Sequence, residues 1–579
     1  MMKVAALASF LLAAASQGVR ATRFLNPVLP GFHPDPSCIF VEELDQTFFC
    51  ATSSFGVFPG IPIHASQNLT NWKLASNVLN RPSQLPEFAS TPTGQDGIFA
   101  PTLRYHNGTF YLITTWVSIA SYQDFKMDNI IFTSSDPFNS SSWSDPTHFD
   151  FIGYDPSLFW DVDGTAYLTG AQATSTGTAI ALAPFNPLTG EYLGPTTYPY
   201  NGTGIGTPEG PHLYHNPSTG FYYILVAEGG TAENHRGSIA RSRSITGPYE
   251  GFPDNPVVHA ASNTSFIQSV GHADLFEDGA GQWWGVALAQ RSGAMGVETS
   301  PMGRETVLFP VRWNEDGWVR IEGTGVKGIM DAPLPGGDEL DVPGEGAWHD
   351  APDIVDFETG TDLPKHFVHV RLPVEEAYVV SPAGREGELQ LMASERSLST
   401  KGGGNMTEGT TFVGRRQVDT LFTFSVAFDF EPRSPCEEAG VTVYLDEAKH
   451  FDLGIVLSEG GERLVELKAF SSNKNVTASK DATTTLRDTA EKVRLEIRAA
   501  NSTHYTFSAG SVEANEDAPV EMQVVGFAAA NLVSGGFTGT LVGAYATTHG
   551  ARGNHTVQVY VSRWRYQGQG QEVDEGVIV

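Results

Sequence analysis

A short unit recurs five times in the first half of this chain and restricts its fold more than any other feature. Each copy starts beside Pro or Gly, enters an apolar stretch, turns, and returns through a β-branched and aromatic run. The copies start at Cys38-Ile39-Phe40-Val41, Leu103-Arg104-Tyr105, Leu158-Phe159-Trp160, His212-Leu213-Tyr214 and Leu275-Phe276. They return through Thr47 to Thr52, Thr109 to Thr114, Thr165 to Thr169, Phe221 to Val226 and Gln282 to Ala287. Three of the turns contain Asn107-Gly108, Asp163-Gly164 and Asp278-Gly279. Asn-Gly and Asp-Gly between β-rich runs are the strongest short hairpin signals. A third run follows in each copy, as in Ile61-Pro62-Ile63-His64 and Ile130-Ile131-Phe132-Thr133. Three or four strands per copy, repeated at roughly 50–65 residues, read as the blades of a five-bladed β-propeller.

Three acids stand in phase with these units. Asp35 lies in Gly-Phe-His-Pro-Asp-Pro-Ser, Asp155 in Gly-Tyr-Asp-Pro-Ser, and Glu209 in Thr-Pro-Glu-Gly-Pro-His. Proline fixes φ and removes a donor, so each acid belongs at a strand entrance and not in a helix. Acids at strand mouths on different blades can face one cavity. A single Asp before Pro is commonly a turn cap; three in register point to paired acid–base chemistry, in which one carboxyl stays protonated while another is ionised.

The rest of the composition limits the alternatives. A chain of 579 residues is too long for one core and requires at least two domains. Its formal net charge of −31 argues against nucleic acid or an anionic membrane as partner. Met1-Met2-Lys3, the apolar stretch Val4 to Ala15 and the small residues up to Ala21 read as a signal peptide over residues 1–21, so the protein is expected to be secreted. No later run is long and apolar enough to span a bilayer. Sequons at Asn68, Asn107, Asn139, Asn201, Asn263, Asn405, Asn475, Asn501 and Asn554 are candidate glycan sites. With 3 Cys the chain is no disulfide scaffold. Cys38 and Cys50 fall opposite each other in the first hairpin, either bridged or as two buried thiols.

The chain changes character near residue 331. Asp331 to Gly346 is rich in Pro, Gly and acids and reads as a domain seam. Beyond it, period-two runs such as Phe422 to Phe428, Val441 to Leu445 and Val493 to Ile497 indicate a two-sheet β-sandwich. The expected division is an all-β propeller over 24–335, a linker over 336–350, a sandwich over 351–568 and a frayed polar tail over 569–579.

The run from Asn26 to Ser37, followed by Thr52 to Ile63, resembles the start of glycoside hydrolase family 43, in its β-xylosidase and α-L-arabinofuranosidase branches. The resemblance continues through Asp155-Pro-Ser, Glu209-Gly-Pro-His, Glu228-Gly-Gly-Thr, Val270 to Leu275 and Met302-Gly-Arg-Glu-Thr. Gly414 to Gln417 and Glu437 to Gly440 resemble the concanavalin-like sandwich appended to many such xylosidases. The resemblance implies an inverting, exo-acting hydrolase that releases xylose or arabinofuranose from plant cell-wall polysaccharide or oligosaccharides. It implies Asp35 as general base, Glu209 as general acid and Asp155 as the acid that orients Glu209 and raises its pKa. It also implies substrate contacts from Arg304 and His272. No cofactor is required, although in some relatives the matching histidine contacts a calcium or a water. Phe55, Phe58, Phe99 and Trp116 are candidate pocket aromatics, with core packing as the alternative for each; Arg304 has a salt bridge to Glu305 or another surface acid as its alternative, and His272 a place as a satisfied core histidine. Where many relatives have Ile-Trp-Ala-Pro, this chain has Ile98-Phe99-Ala100-Pro101, and Ala173 to Thr178 is small and polar. Two rival classes are a non-catalytic glycan-binding propeller, which would have lost an acid, and a fructan-active hydrolase, whose Asn-Asp-Pro, Arg-Asp-Pro and Glu-Cys signatures are absent from the matching places.

Overall fold

The computed structural model describes residues 21–121, 124–292, 299–336, 340–400, 409–471, 482–485, 492–512, 519–551 and 556–579. The signal-peptide reading, apart from Ala21, and the sequons at Asn405, Asn475 and Asn554 fall outside them. Regular structure among the described residues is strand, with a few short 3₁₀ turns.

The five repeats form five antiparallel sheets whose first strands are Ser37–Val41, Gly97–His106, Tyr154–Trp160, Glu209–Asn216 and Ile267–Glu277. These strands pack side by side in a ring around one axis. Each is followed outward by its hairpin partner, as Thr47–Ala51 follows Ser37–Val41 in the first sheet. Closure comes from the N-terminus: Thr22–Leu25 pairs antiparallel with Ile329–Ala332, which follows the fifth sheet. Radial repetition of this kind leaves each blade only a short outer edge. Cys38 and Cys50 are directly opposed in the first hairpin and joined by a disulfide.

The second domain is a sandwich of an eight-stranded and a six-stranded sheet. Alternate residues of Leu421–Asp429, Glu438–Asp446 and Lys492–Ala499 fill its core, including Phe424, Val443 and Leu495. The core residues alternate along each strand, as they do where one face of a sheet packs on another sheet, although Glu438–Asp446 is buried at every position.

The domains are stitched together by backbone. His369–Val370 pairs with Val57–Phe58 of the propeller. Arg371 donates to the carbonyl of Thr91 at 2.7 Å and pairs with Glu447. Residues 340–350 run back along the first blade, where Trp348 bridges Lys73. The polar end of the chain, expected to fray, instead forms a hairpin of Glu572–Asp574 and Val577–Ile578. Arg291 holds it, donating to the Gln571 side chain and the Glu572 carbonyl, both at 2.9 Å.

Candidate active site

One backbone conformation recurs at the mouth of all five inner strands. Asp35, Ala100, Asp155, Gly210 and His272 have φ of 51°, 20°, 51°, 54° and 48°. Left-handed backbone is rare for residues with a Cβ and costs about 1–3 kcal/mol each. In four of the strands the pairing register shifts beside this residue, for instance between Tyr154 and Ser157 and between Glu209 and His212. Such bulges re-aim a side chain next to an active site. Gly210 has no freedom here, because a Cβ would lie 2.8 Å from the His272 ring.

The result is a pocket of about 210 Å³ that brings together Asp35, Asp155, Glu209, His272 and Arg304. That is below the ~300–1,000 Å³ of sites for drug-sized ligands and suits one small ring. Asp35 accepts a hydrogen bond from Ser53 at 2.6 Å and faces the His272 ring at 3.7 Å. Asp155 accepts one from the Gly210 amide at 3.1 Å, and Glu209 accepts one from the Tyr154 hydroxyl at 3.2 Å.

Burial and neighbouring carboxylates shift two of these acids the same way. Asp155 is pushed up to about 7, first by burial, then by Glu209 and Asp35, against the pull of His272. Glu209 is also raised, first by burial, with Asp35 adding to the effect while His272, Tyr154 and Arg304 oppose it. The two titrate together, so the retained proton belongs to the pair.

Glu305, the alternative partner for Arg304, is held by Arg291, whose Nε and one Nη donate to it, both at 2.7 Å. Arg304 instead donates to the Thr231 carbonyl at 3.4 Å and lies 4.7 Å over the Phe537 ring. Phe537 comes from the sandwich. Its amide donates to Gln95 at 2.6 Å, and nearby Thr540 donates its amide to Pro301 at 2.9 Å, so the propeller fixes that loop on both sides. Phe55 and Phe99 line the pocket with it, at centroid distances of 5.8 and 6.0 Å from Phe537.

Two candidate aromatics lie elsewhere. Trp116 is in the core between blades, with its indole donating to Thr91 at 3.2 Å. Its strand neighbour Val117 faces the pocket, and adjacent strand residues point to opposite sides. Phe58 is buried in the same core. Sequence reasoning missed Tyr154, Thr231, Ser53 and Phe537. Tyr154 stands beside Asp155 and was findable; Phe537 carries no local signal.

One layer deeper on the axis lies a second polar cluster with members from every blade. Arg104 donates to both oxygens of Asp274, at 2.7 and 3.2 Å, and to His212 at 2.9 Å. Ser37 and Tyr214 also donate to Asp274, both at 2.7 Å, and Ser157 meets His212 at 3.2 Å. The acid within 4 Å of the His272 ring is Asp35, at 3.7 Å, whereas calcium takes 6–8 oxygen ligands, waters among them. Among the described residues no group of three His, Cys, Asp or Glu is placed to hold a metal.

Residues 24–319 match Glycosyl hydrolases family 43, and residues 355–567 match the Beta xylosidase C-terminal Concanavalin A-like domain. The chain belongs to glycoside hydrolase family 43. It is 32% identical to the Non-reducing end alpha-L-arabinofuranosidase BoGH43B of Bacteroides ovatus, over 91% of this chain and 92% of that one. It is 31% identical to the Beta-xylosidase of Bacillus subtilis, over 77% and 81% of the two chains. The solved structure of Bacteroides ovatus Xyloglucan PUL GH43B superposes with a TM-score of 0.79 at 32% identity, covering 95% of this chain and all of that one. A xylan beta-1,4-xylosidase from Bacillus Halodurans, 30% identical, superposes with the same TM-score of 0.79 over 94% of this chain. This family member is a glycoside hydrolase, and its three acids meet at one pocket.

Proposed function

We propose that the protein is an exported, exo-acting, inverting glycosidase that removes a terminal xylose or arabinofuranose from xylan- or arabinoxylan-type glycans and their oligosaccharides. The observation that carries this reading is the convergence of Asp35, Asp155 and Glu209 on one small pocket, with a proton retained by the Asp155–Glu209 pair. The relatives' names, xylosidase and arabinofuranosidase, support a pentose as the sugar released.

In the proposed reaction, Asp35 takes a proton from a water whose oxygen attacks the anomeric carbon. Glu209 gives its proton to the glycosidic oxygen as the bond from that oxygen to the anomeric carbon breaks. Asp155, bonded to the amide beside Glu209, holds the acid in place and disfavours its ionisation. Inverting enzymes space their two carboxyls about 6.5–9.5 Å apart to admit that water. Arg304 and His272 contact the sugar's hydroxyls, and Phe55, Phe99 and Phe537 pack on its apolar faces.

The residue 1–21 leader supports export, and five described sequons, Asn107, Asn139, Asn201, Asn263 and Asn501, are exposed where glycans could attach. Chromogenic β-D-xylopyranoside and α-L-arabinofuranoside, together with arabinoxylan oligosaccharides, form the deciding panel. Cleavage of one pentoside is expected, with the opposite anomer seen first by proton NMR. A retained anomer in the first product removes the inverting assignment, and inactivity on every pentoside removes the pentosidase reading.

A further inference from the structure

The longest hairpin of the propeller stands at the pocket mouth with an apolar face that the proposed chemistry does not use. Its strands are Thr109–Ser121 and Asp124–Ser134. Thr115 opposes Asn129, Val117 opposes Met127, and Ile119 opposes Phe125. The three pairs share one face, since strand side chains alternate. At its base Thr115 donates to Asn129 at 2.7 Å, and Asn129 donates to the carbonyls of Phe151 and Gly153 at 3.0 and 3.1 Å. The face is thereby fixed to the segment that leads into Asp155. From there it runs outward along the pocket wall, through Val117 and Met127 to Ile119 and Phe125. Thr115 and Asn129 are buried, whereas Ile119 and Phe125 are 43% and 48% exposed.

A pocket that ends in buried acids can take only the terminal sugar. The remainder of the substrate must leave through the mouth, across the exposed end of this face. The corresponding hairpin of the next blade offers no competing wall: its end pairs are Ala173 with Thr178 and Thr174 with Gly177. We propose that Phe125 and Ile119 form the leaving-group subsite, binding a neutral group that presents an apolar face, such as the second sugar of the chain or an aryl aglycone. This inference rests on the glycosidase reading above. Both residues touch the substrate only beyond the bond that breaks, so they set leaving-group preference and leave the chemistry at the anomeric carbon unchanged.

The test compares Phe125→Ala, Ile119→Ala and the double variant with wild type on three substrates of the sugar that wild type cleaves: methyl glycoside, p-nitrophenyl glycoside and disaccharide. Aromatic contacts of this kind support losses of about 3–10-fold. That loss is expected in kcat/KM, mainly as a higher KM, on the disaccharide, the aryl glycoside or both. The methyl glycoside should stay within about 2-fold, and Phe125→Trp should restore the loss. A loss on the disaccharide alone identifies a sugar subsite, and a loss on the aryl glycoside alone identifies an aryl one. Equal effects on all three substrates, or none, would overturn the proposal. So would a change in self-association by size-exclusion chromatography without a change in kinetics, which would make the face a contact between copies. Wild-type activity on the panel tests the parent reading separately.

Discussion

Asp155 and Asp274 are both buried acids at the propeller axis, at 7% and 0% exposure, yet their protonation is opposed. Asp274 is held down to about 2, because Arg104 and His212 and the bonds from Arg104 and Ser37 outweigh its burial. Asp155 is pushed up to about 7, because burial and two carboxylates outweigh His272 and one backbone amide. Burial is common to both; the counterion separates them. The fold keeps its fixed charge pair one layer below the pocket and leaves the pocket short of cations, so a proton is available there.

The largest effects should come from the pocket. Asp35→Asn should lose about 10²–10⁴-fold in kcat with unchanged circular dichroism and little change in Tm. Glu209→Gln should lose as much on a disaccharide but distinctly less on p-nitrophenyl glycosides, whose leaving group needs no proton. Equal losses on both substrates would deny Glu209 the acid role.

The axial pair should fail in the other way. Arg104→Met leaves Asp274 buried without its cation and should cost about 3–5 kcal/mol in chemical denaturation. Asp155→Asn removes a carboxyl that burial disfavours, so it should leave stability equal or higher while activity falls. If both variants destabilise alike, the contrast between the layers is wrong.

Phe537→Ala should lower kcat/KM about 10-fold, with both domains still folded, because the sandwich supplies one wall of the pocket. A propeller ending near residue 335 should lose more. It lacks that ring, and it exposes Val57–Phe58 without the strand His369–Val370. Full activity of that fragment would reduce the sandwich to an appendage.

The smallest effects should be in pH dependence. The folded protein raises Asp155, so the stability it contributes is whole below about pH 4 and declines as pH rises toward 7. Asp274 has the opposite sign: its contribution is whole above about pH 4 and is lost as pH falls toward 2. The domain interface adds acid lability of its own. There His33, His64 and His349 are lowered, chiefly by burial, with Arg416 beside the first two and Arg415 and Asp350 near the third. Their contribution is present above about pH 6.5 and falls away in acid. The difference in Tm between Asp155→Asn and wild type isolates the pocket; it should grow from pH 4 to 7 and then level off. In the rate profile, losing the Asp155 charge should move the basic limb to lower pH.

The blades and the three acids were legible because Pro and Gly mark strand entrances locally. Asp35-Pro36 and Asp155-Pro156 mark where inner strands begin, although the left-handed φ of 51° at both acids is not what a residue before proline ordinarily adopts. The axial cluster was not, because Arg104 and Asp274 are 170 positions apart and meet only when the ring closes. Phe537 lies still further from the acids it shields. Trp116 misled for a simpler reason: its neighbour faces the pocket, and a shift of one residue turns a strand side chain to the other side. The chain's end read as frayed because its polarity is visible and its anchor, Arg291, is remote.

The left-handed residue at the mouth of each inner strand makes the pocket modular. Five equivalent sockets, one per blade, aim whatever side chain they hold at the same space. Two hold acids and one holds an imidazole, while Ala100 and Gly210 are chemically silent. Gly210 cannot be filled, because His272 occupies the room a Cβ needs. Ala100 already lines the pocket and has a Cβ to extend. New specificity can therefore enter through one residue of the second blade without disturbing the three acids.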